Sequence, residues 1–321
     1  MSKRVAGLLT GLVLLGATSL GAAQDLESLR IMAPASPGGG WDSTSRVMQE
    51  VLQESGLVNR VEVFNVPGAG GTVGLAQLAS SDRGEGDLLM MMGLVMSGAI
   101  LTNGSAVTLS ETTPIASITA EYEVIAVPAN SELQTMDDLM AAIKADPGAV
   151  SWAGGSAGGT DHMLAGLVAQ EAGVDPALLN YIPYSGGGEA LAAVLGAQVT
   201  VGVTGYSEWA GAIESGELRA LALSSPEPVE GIDAPTLIDQ GVDIELANWR
   251  GVVAPPDLDE AQTEALVALI DELHASPEWQ EALTQNGWED FYQSGDEFAA
   301  FLTEEDTRTK EVLTAIGLVS E

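Results

Sequence analysis

Four times the chain passes from a short apolar run through a glycine-rich corner into a helical pattern. This repetition limits the fold more than any other feature of the sequence. The corners are Pro37-Gly38-Gly39-Gly40-Trp41-Asp42, Pro67-Gly68-Ala69-Gly70-Gly71-Thr72, Gly154-Gly155-Ser156-Ala157-Gly158-Gly159-Thr160 and Tyr184-Ser185-Gly186-Gly187-Gly188-Glu189. Strand, corner and helix in repetition specify an α/β fold, a mostly parallel sheet with helices on both faces. Glycine at such a corner takes positive φ without strain and lets backbone approach a ligand. The helix that follows offers unpaired N–H groups and about half a positive charge at its start. Together they form an anion site that needs no cationic side chain. In open α/β sheets these corners gather at the carboxyl edge of the strands, where ligands bind. A single corner reads as a tight turn; four in one chain point to a shared cleft.

The intervening sequence supports two such sheets. Short apolar runs at 29–33, 61–66, 88–92, 150–153, 181–184, 199–204, 218–223 and 248–254 read as strands. A longer strand-rich stretch covers 115–127 and is expected to break near Glu121-Tyr122-Glu123. Helical periodicity marks 42–54, 71–80, 139–145, 160–172, 189–196 and 207–215, then 260–274, 277–285 and 297–316 at the C-terminal end. Thr135-x-x-Asp138 and Ser294-x-x-Glu297 have the capping-box spacing, and Ser276 precedes Pro277 as an N-cap. A chain of 321 residues is long for one sheet of this kind, so two α/β lobes are expected. Crossings at 121–127 and 244–250 make the first lobe discontinuous, 24–122 plus 247–321, with 123–246 as the second.

Charge excludes several partners. There are 46 Asp and Glu against 11 Lys and Arg, a formal net charge of −35. Nucleic-acid binding through phosphate contacts needs the opposite sign. The absence of cysteine removes disulfide scaffolds, thiolate-ligated zinc, iron–sulfur clusters and a thiol nucleophile. A hydrophobic fraction of 46% belongs to a chain with a packed core. Residues 1–23 read as a secretory signal: Lys3 and Arg4, an apolar run at 5–15, then Gly21-Ala22-Ala23. Without a cysteine at the cleavage point, no lipid anchor is expected. The expected location is the periplasm, with release to the medium as the other option. Few lysines among many acids also suit a salt-rich habitat. Screening of the global charge predicts that a carboxylate binds more tightly or faster as salt rises.

Other chemistries compete for the corners. Gly154-Gly155-Ser156-Ala157-Gly158 matches the G-x-S-x-G nucleophile elbow, and His274 follows in the order of a serine hydrolase. Against this, His274 falls within an amphipathic helix, and the other three corners share the shape without a nucleophile. Gly68-Ala69-Gly70-Gly71-Thr72-Val73 departs from the dinucleotide fingerprint at its last glycine, and there is no G-x-x-x-x-G-K-[ST] loop. No calcium-loop motif appears among the acids, so neither a metal nor a cofactor is expected. His162, next to Asp161 at a helix start, reads equally as a ligand contact or as a packed ring.

At these corners the chain closely resembles the substrate-binding proteins of tripartite tricarboxylate transporters, the TctC or Bug family. The resemblance runs over 29–319. It is carried by the first corner, by Asn65-Val66-Pro67-Gly68-Ala69-Gly70-Gly71-Thr72-Val73-Gly74, by 154–162, by Pro183-Tyr184-Ser185-Gly186-Gly187-Gly188 and by Trp249-Arg250-Gly251-Val252-Val253-Ala254-Pro255. It implies a type II periplasmic-binding-protein fold, two α/β lobes closing at a hinge on a small organic acid, a di- or tricarboxylate, for delivery to integral-membrane permease subunits. A monomer and no catalysis are implied; delivery to a receptor kinase is the sensing alternative. Carried over, the ligand site comprises Gly39, Gly40, Trp41 and Asp42, Gly68, Ala69, Gly70 and Gly71, and Ser156, Gly159, Thr160 and Asp161. Ser185 and Gly186 of the fourth corner join them, with Ser97 and Tyr206 added by their positions after strands. Trp41 is bulkier than the residue many members carry, and Asp42 has capping as its commoner use. Among the cations, Arg46 and Arg250 lie outside the corners in sequence.

Overall fold

The computed structural model describes residues 26–229 and 231–320; the expected secretory signal lies outside them. The chain opens with β1 (Ser28–Ala33), α1 (Gly40–Glu54), β2 (Arg60–Asn65), α2 (Thr72–Ser80), β3 (Leu88–Gly93) and α3 (Leu94–Thr102). A long strand β4 (Thr113–Pro128) leads to α4 (Met136–Ala145), β5 (Ser151–Gly154), α5 (Thr160–Glu171), β6 (Asn180–Pro183), α6 (Gly187–Leu195), β7 (Val201–Gly205), α7 (Tyr206–Glu214) and β8 (Leu218–Leu223). Strand β9 (Ala247–Ala254) precedes α8 (Glu260–Ala275), α9 (Pro277–Asn286), β10 (Gln293–Ser294) and α10 (Gly295–Ala315).

The strands run β2-β1-β3-β9-β4-β7-β5-β6, with β10 and β8 also on β4. Strands β1, β2 and β3 are mutually parallel, as are β5, β6 and β7. Strands β4 and β9 enter antiparallel to these sets and to each other. The sheet is therefore mixed, because the two long returning strands come back against the βα units. The break expected at Glu121-Tyr122-Glu123 does not occur. Strand β4 is continuous over 16 residues and changes partner there instead. Tyr122 lies opposite Ala247 of β9, and Glu123 opposite Gly205 of β7. Neither Glu121 nor Glu123 faces solvent.

Packing follows the strand period of two. On β4, Ile125 and Val127 join the main core with Met163 and Leu164 of α5 and Leu139 of α4. Val124 and Ala126 point the other way, into a second cluster around Trp209, Ala190 and Val194 of α6 and α7. Strand β3 is buried at every position, as a parallel strand covered on both faces should be. Each of its large side chains contributes about 1.5–3 kcal/mol by leaving water. Helix α3 was missed by periodicity because it has no polar face. Leu94, Met96, Ala99 and Ile100 are all buried, and a helix apolar all round belongs inside. Capping is as expected at Thr135, where both bonds of the box form, and at Ser276, which accepts from the Trp279 N–H at 3.2 Å. At Ser294 the expected box is absent: α10 starts there, but the Ser294 side chain makes no cap bond.

Candidate functional site

The carboxyl ends of β1, β2, β5, β6 and β7 open onto one cavity of about 600 Å³, lined by all four glycine corners. The helices that start there share a trait. The N-cap residues of α1, α2, α5, α6 and α7 are Gly39, Gly71, Gly159, Gly186 and Gly205, and none carries a side-chain cap. Away from the cavity α4, α8 and α9 are capped by Thr135, Asp259 and Ser276. Glycine caps bring no side chain of their own to the first-turn N–H groups, so five helix starts face the cavity without a capping side chain at the N-cap.

Acidic residues in the first turns hold the corners in shape. Asp42 accepts the Gly38 N–H at 2.8 Å, the Asn65 amide at 2.9 Å and Arg46 Nε at 3.0 Å. Burial pushes its carboxyl upward, but these bonds prevail and hold it below the usual range. Asp161 accepts the Gly155 N–H at 2.6 Å, and Glu189 accepts the Ser185 N–H at 3.2 Å. Trp41 resolves both of its readings at once: it is 7% exposed, lines the cavity, and packs on the second corner. Gly71, at φ +90°, leaves the space its ring needs; a Cβ there would stand 2.7 Å from the indole.

Of the expected site residues, Gly39, Gly40, Trp41, Gly68, Ala69, Gly70, Gly71, Ser156, Gly159, Asp161, Ser185 and Gly186 line the cavity. Asp42, Ser97, Thr160 and Tyr206 are not among the lining residues, and each has a local reason. Asp42 is turned into its own corner. Ser97 is buried in α3. Thr160 is buried and donates to Asn248 Oδ1 at 3.2 Å. Tyr206 packs against the second apolar cluster. His162 is a packed ring rather than a lining group. It stacks on Tyr181 at 3.9 Å, its Nδ1 accepts the Gly158 N–H at 3.2 Å, and burial lowers it to about 4. The nucleophile elbow finds no base in His274, which bonds Asp290 at 2.9 Å, stacks on Tyr292 and does not line the cavity.

Sequence reasoning missed the charged groups. Arg250 of β9 reaches the cavity beside the first corner, where a Cβ on Gly40 would lie 2.6 Å from its Nη2. It is 3% exposed, donates to Thr44 Oγ1 at 3.0 Å, and pairs with Glu121 of β4. Burial lowers it to about 10, so it stays protonated at neutral pH. Glu208 also lines the cavity, in the first turn of α7 after β7 and Gly205. The signal was present as a strand, one glycine and a helix, a leaner version of the four corners. Burial, then Asp161, raise Glu208 to about 7. Burial likewise raises Asp161 to about 6, against the pull of backbone N–H bonds. Glu123, fully buried on β4, is pushed well up by burial and by the charges of Asp161 and Glu208.

The family model described as Tripartite tricarboxylate transporter family receptor matches residues 44–318. Protein BugT of Bordetella pertussis is 29% identical over 294 residues, covering 90% of this chain and 89% of its own. The solved periplasmic binding protein BugD superposes with a TM-score of 0.81 at 23% identity, over 91% of this chain and 98% of its own. MatC of Rhodopseudomonas palustris, solved with bound malate, superposes with a TM-score of 0.77 at 20% identity, over 89% and 98%. The fold is that of the periplasmic binding proteins.

Proposed function

The chain belongs to the tripartite tricarboxylate transporter receptor family, and on that premise we propose that it is an extracytoplasmic solute receptor. It captures a small organic carboxylate in the cavity and delivers it to integral-membrane permease subunits. The observation that carries this reading is the convergence of glycine-capped helix starts on one cavity. A carboxylate there receives several N–H donors already aimed and needs no arginine of its own. The malate bound by MatC supports the ligand class. We place the protein in the periplasm; among the described residues no helix is long and apolar enough to cross a membrane.

Two lobes, 24–122 with 247–321 and 123–246, close on the ligand about the crossing strands. The change of partner on β4 between Tyr122 and Glu123, and the start of β9 at Ala247, support that division. Ligand favours closure only by binding the closed form better. We take the receptor to act as a monomer; the bond of His274 to Asp290, with His274 outside the lining residues, supports binding without turnover. Isothermal titration of the folded chain against mono-, di- and tricarboxylates tests the proposal. Binding of at least one organic acid is expected, and no heat with any of them would overturn it.

A further inference from the structure

Four side chains form one run across the change of sheets. Arg250 of β9 donates to Thr44 Oγ1 of α1 at 3.0 Å and pairs with Glu121 Oε1 of β4, and Glu121 Oε2 accepts the Ser207 hydroxyl of α7 at 2.5 Å. Thr44, Arg250 and Glu121 are buried, and Ser207 is half-buried. The last bond stands where backbone pairing has just stopped. The β4–β7 ladder closes with Glu123 opposite Gly205, and α7 begins at Tyr206. Antiparallel strands count in opposite directions, and a face repeats every second residue. Glu121 and Ser207 therefore stand where the next pair on that face would be, and their side chains carry the ladder one step beyond the backbone. Gly205 makes room for this, since a Cβ there would stand 2.5 Å from Glu121 Oε1. A second bond crosses from β9 directly opposite Glu121, where Asn248 Oδ1 accepts the hydroxyl of Thr160 at 3.2 Å.

Under the two-lobe receptor reading, on which this inference rests, Thr44, Glu121, Asn248 and Arg250 belong to one lobe and Thr160 and Ser207 to the other. We propose that Ser207 is a positioning residue for ligand capture, whose bond to Glu121 forms as the lobes close and is lost as they open, while the Arg250–Glu121 pair persists in both arrangements. Ser207 is not among the lining residues, but both of its connections are: Glu208 follows it in the first turn of α7, and Arg250 lies beyond Glu121. Holding Ser207 on Glu121 therefore fixes the start of α7 and Glu208 relative to Arg250 and the first corner. A hydrogen bond of 2.5 Å no longer exists at about 3.6 Å, so a shift of about 1 Å breaks it even close to the hinge. The bond is charge-assisted, and such bonds are the stronger kind. Closure gains it only when the lobes reach one angle, which makes it a contact of the bound form.

Ser207→Ala in the full chain tests this, with the mono-, di- and tricarboxylates lactate, malate, adipate and citrate as probes in titration calorimetry and stopped-flow binding. Every acid that binds wild type should bind the variant about 10- to 100-fold more weakly, the range of a hydrogen bond to a charged group. The loss should lie in faster dissociation, with association within about twofold of wild type, because the bond is made after encounter. Ser207→Thr keeps a hydroxyl at the same place and should bring dissociation back to within about threefold of wild type. A merely structural role would move melting temperature without this kinetic split and rescue. Unchanged dissociation in Ser207→Ala, or a loss carried by slower association, would overturn the proposal and leave the receptor reading intact. So would a Ser207→Thr variant as fast to dissociate as Ser207→Ala, since the hydroxyl would then not be the acting group. No binding of any of the four acids by the wild-type chain would defeat the receptor reading and this proposal with it.

Discussion

Replacing Arg250 by methionine should destabilise the ligand-free chain by about 3–5 kcal/mol, the range for removing one partner of a buried ion pair. Arg250 is 3% exposed and its partner Glu121 1%. The two join β9 to β4 one residue before β4 changes sheets. Methionine fills similar volume, so little of the effect comes from a cavity. The cost arises from Glu121, left buried with the Ser207 hydroxyl at 2.5 Å as its only side-chain donor among the described residues, and from the lost bond to Thr44. For a chain of this length about 2 °C per kcal/mol gives a fall in Tm of roughly 6–10 °C. The assay is a double-mutant cycle by urea unfolding with Arg250→Met, Glu121→Gln and the pair together. Because the double variant removes both charges, it should recover at least about 2 kcal/mol relative to the sum of the single changes. A loss below about 1 kcal/mol for Arg250→Met, or additive effects in the cycle, would refute the claim that this pair carries an uncompensated-charge penalty.

Four further outcomes are expected. Glu208 is raised to about 7 in the folded chain, so the folded state keeps a proton that the unfolded state has lost above its ordinary range; its stabilising contribution is full below that range and is lost as pH rises through about 7. Against wild type, Glu208→Gln should therefore flatten the decline in stability between about pH 5 and pH 7 in thermal melts; an unchanged slope would show that Glu208 titrates normally. Gly98→Ala places a Cβ against the Gly158 carbonyl oxygen, where α3 meets the third corner, and should cost about 1–3 kcal/mol in stability or up to about a hundredfold in ligand affinity; wild-type melts and titrations would show that the two segments do not touch in solution. Thr135→Ala removes the bond from the Asp138 N–H to Thr135 Oγ1 in the α4 capping box, leaving the one the Thr135 N–H donates to Asp138, and should cost about 0.5–2 kcal/mol in urea unfolding, with ligand affinity unchanged because Thr135 does not line the cavity. Under the net charge of −35, stopped-flow association of a net-anionic ligand should quicken from about 20 mM to about 0.3 M NaCl, whereas a zwitterion should change little; steep weakening with salt would mean a ligand of net positive charge.

The sequence by itself determined the corners. Glycine strings between apolar runs and helical patterns are local signals, and the structure brings all four to one cavity because each ends a strand at the same edge. The cap of α4 was legible for the same reason: Thr135 and Asp138 need only each other. Reading failed where neighbours are remote in sequence. Helix α3 has no polar face, so its burial shows only once other elements surround it. Arg250 looked like a cation outside the corners, yet it meets Glu121 across 129 residues and Thr44 across 206. Glu208 was one of 46 acids, and its strand, glycine and helix marked a place at the edge but not its burial. Its character comes from burial and from Asp161, which the tertiary structure supplies. Backbone geometry at a corner depends on a few adjacent residues, so a sequence can state it. The charge of a cavity wall depends on which side chains are taken out of water together, and only the fold decides that.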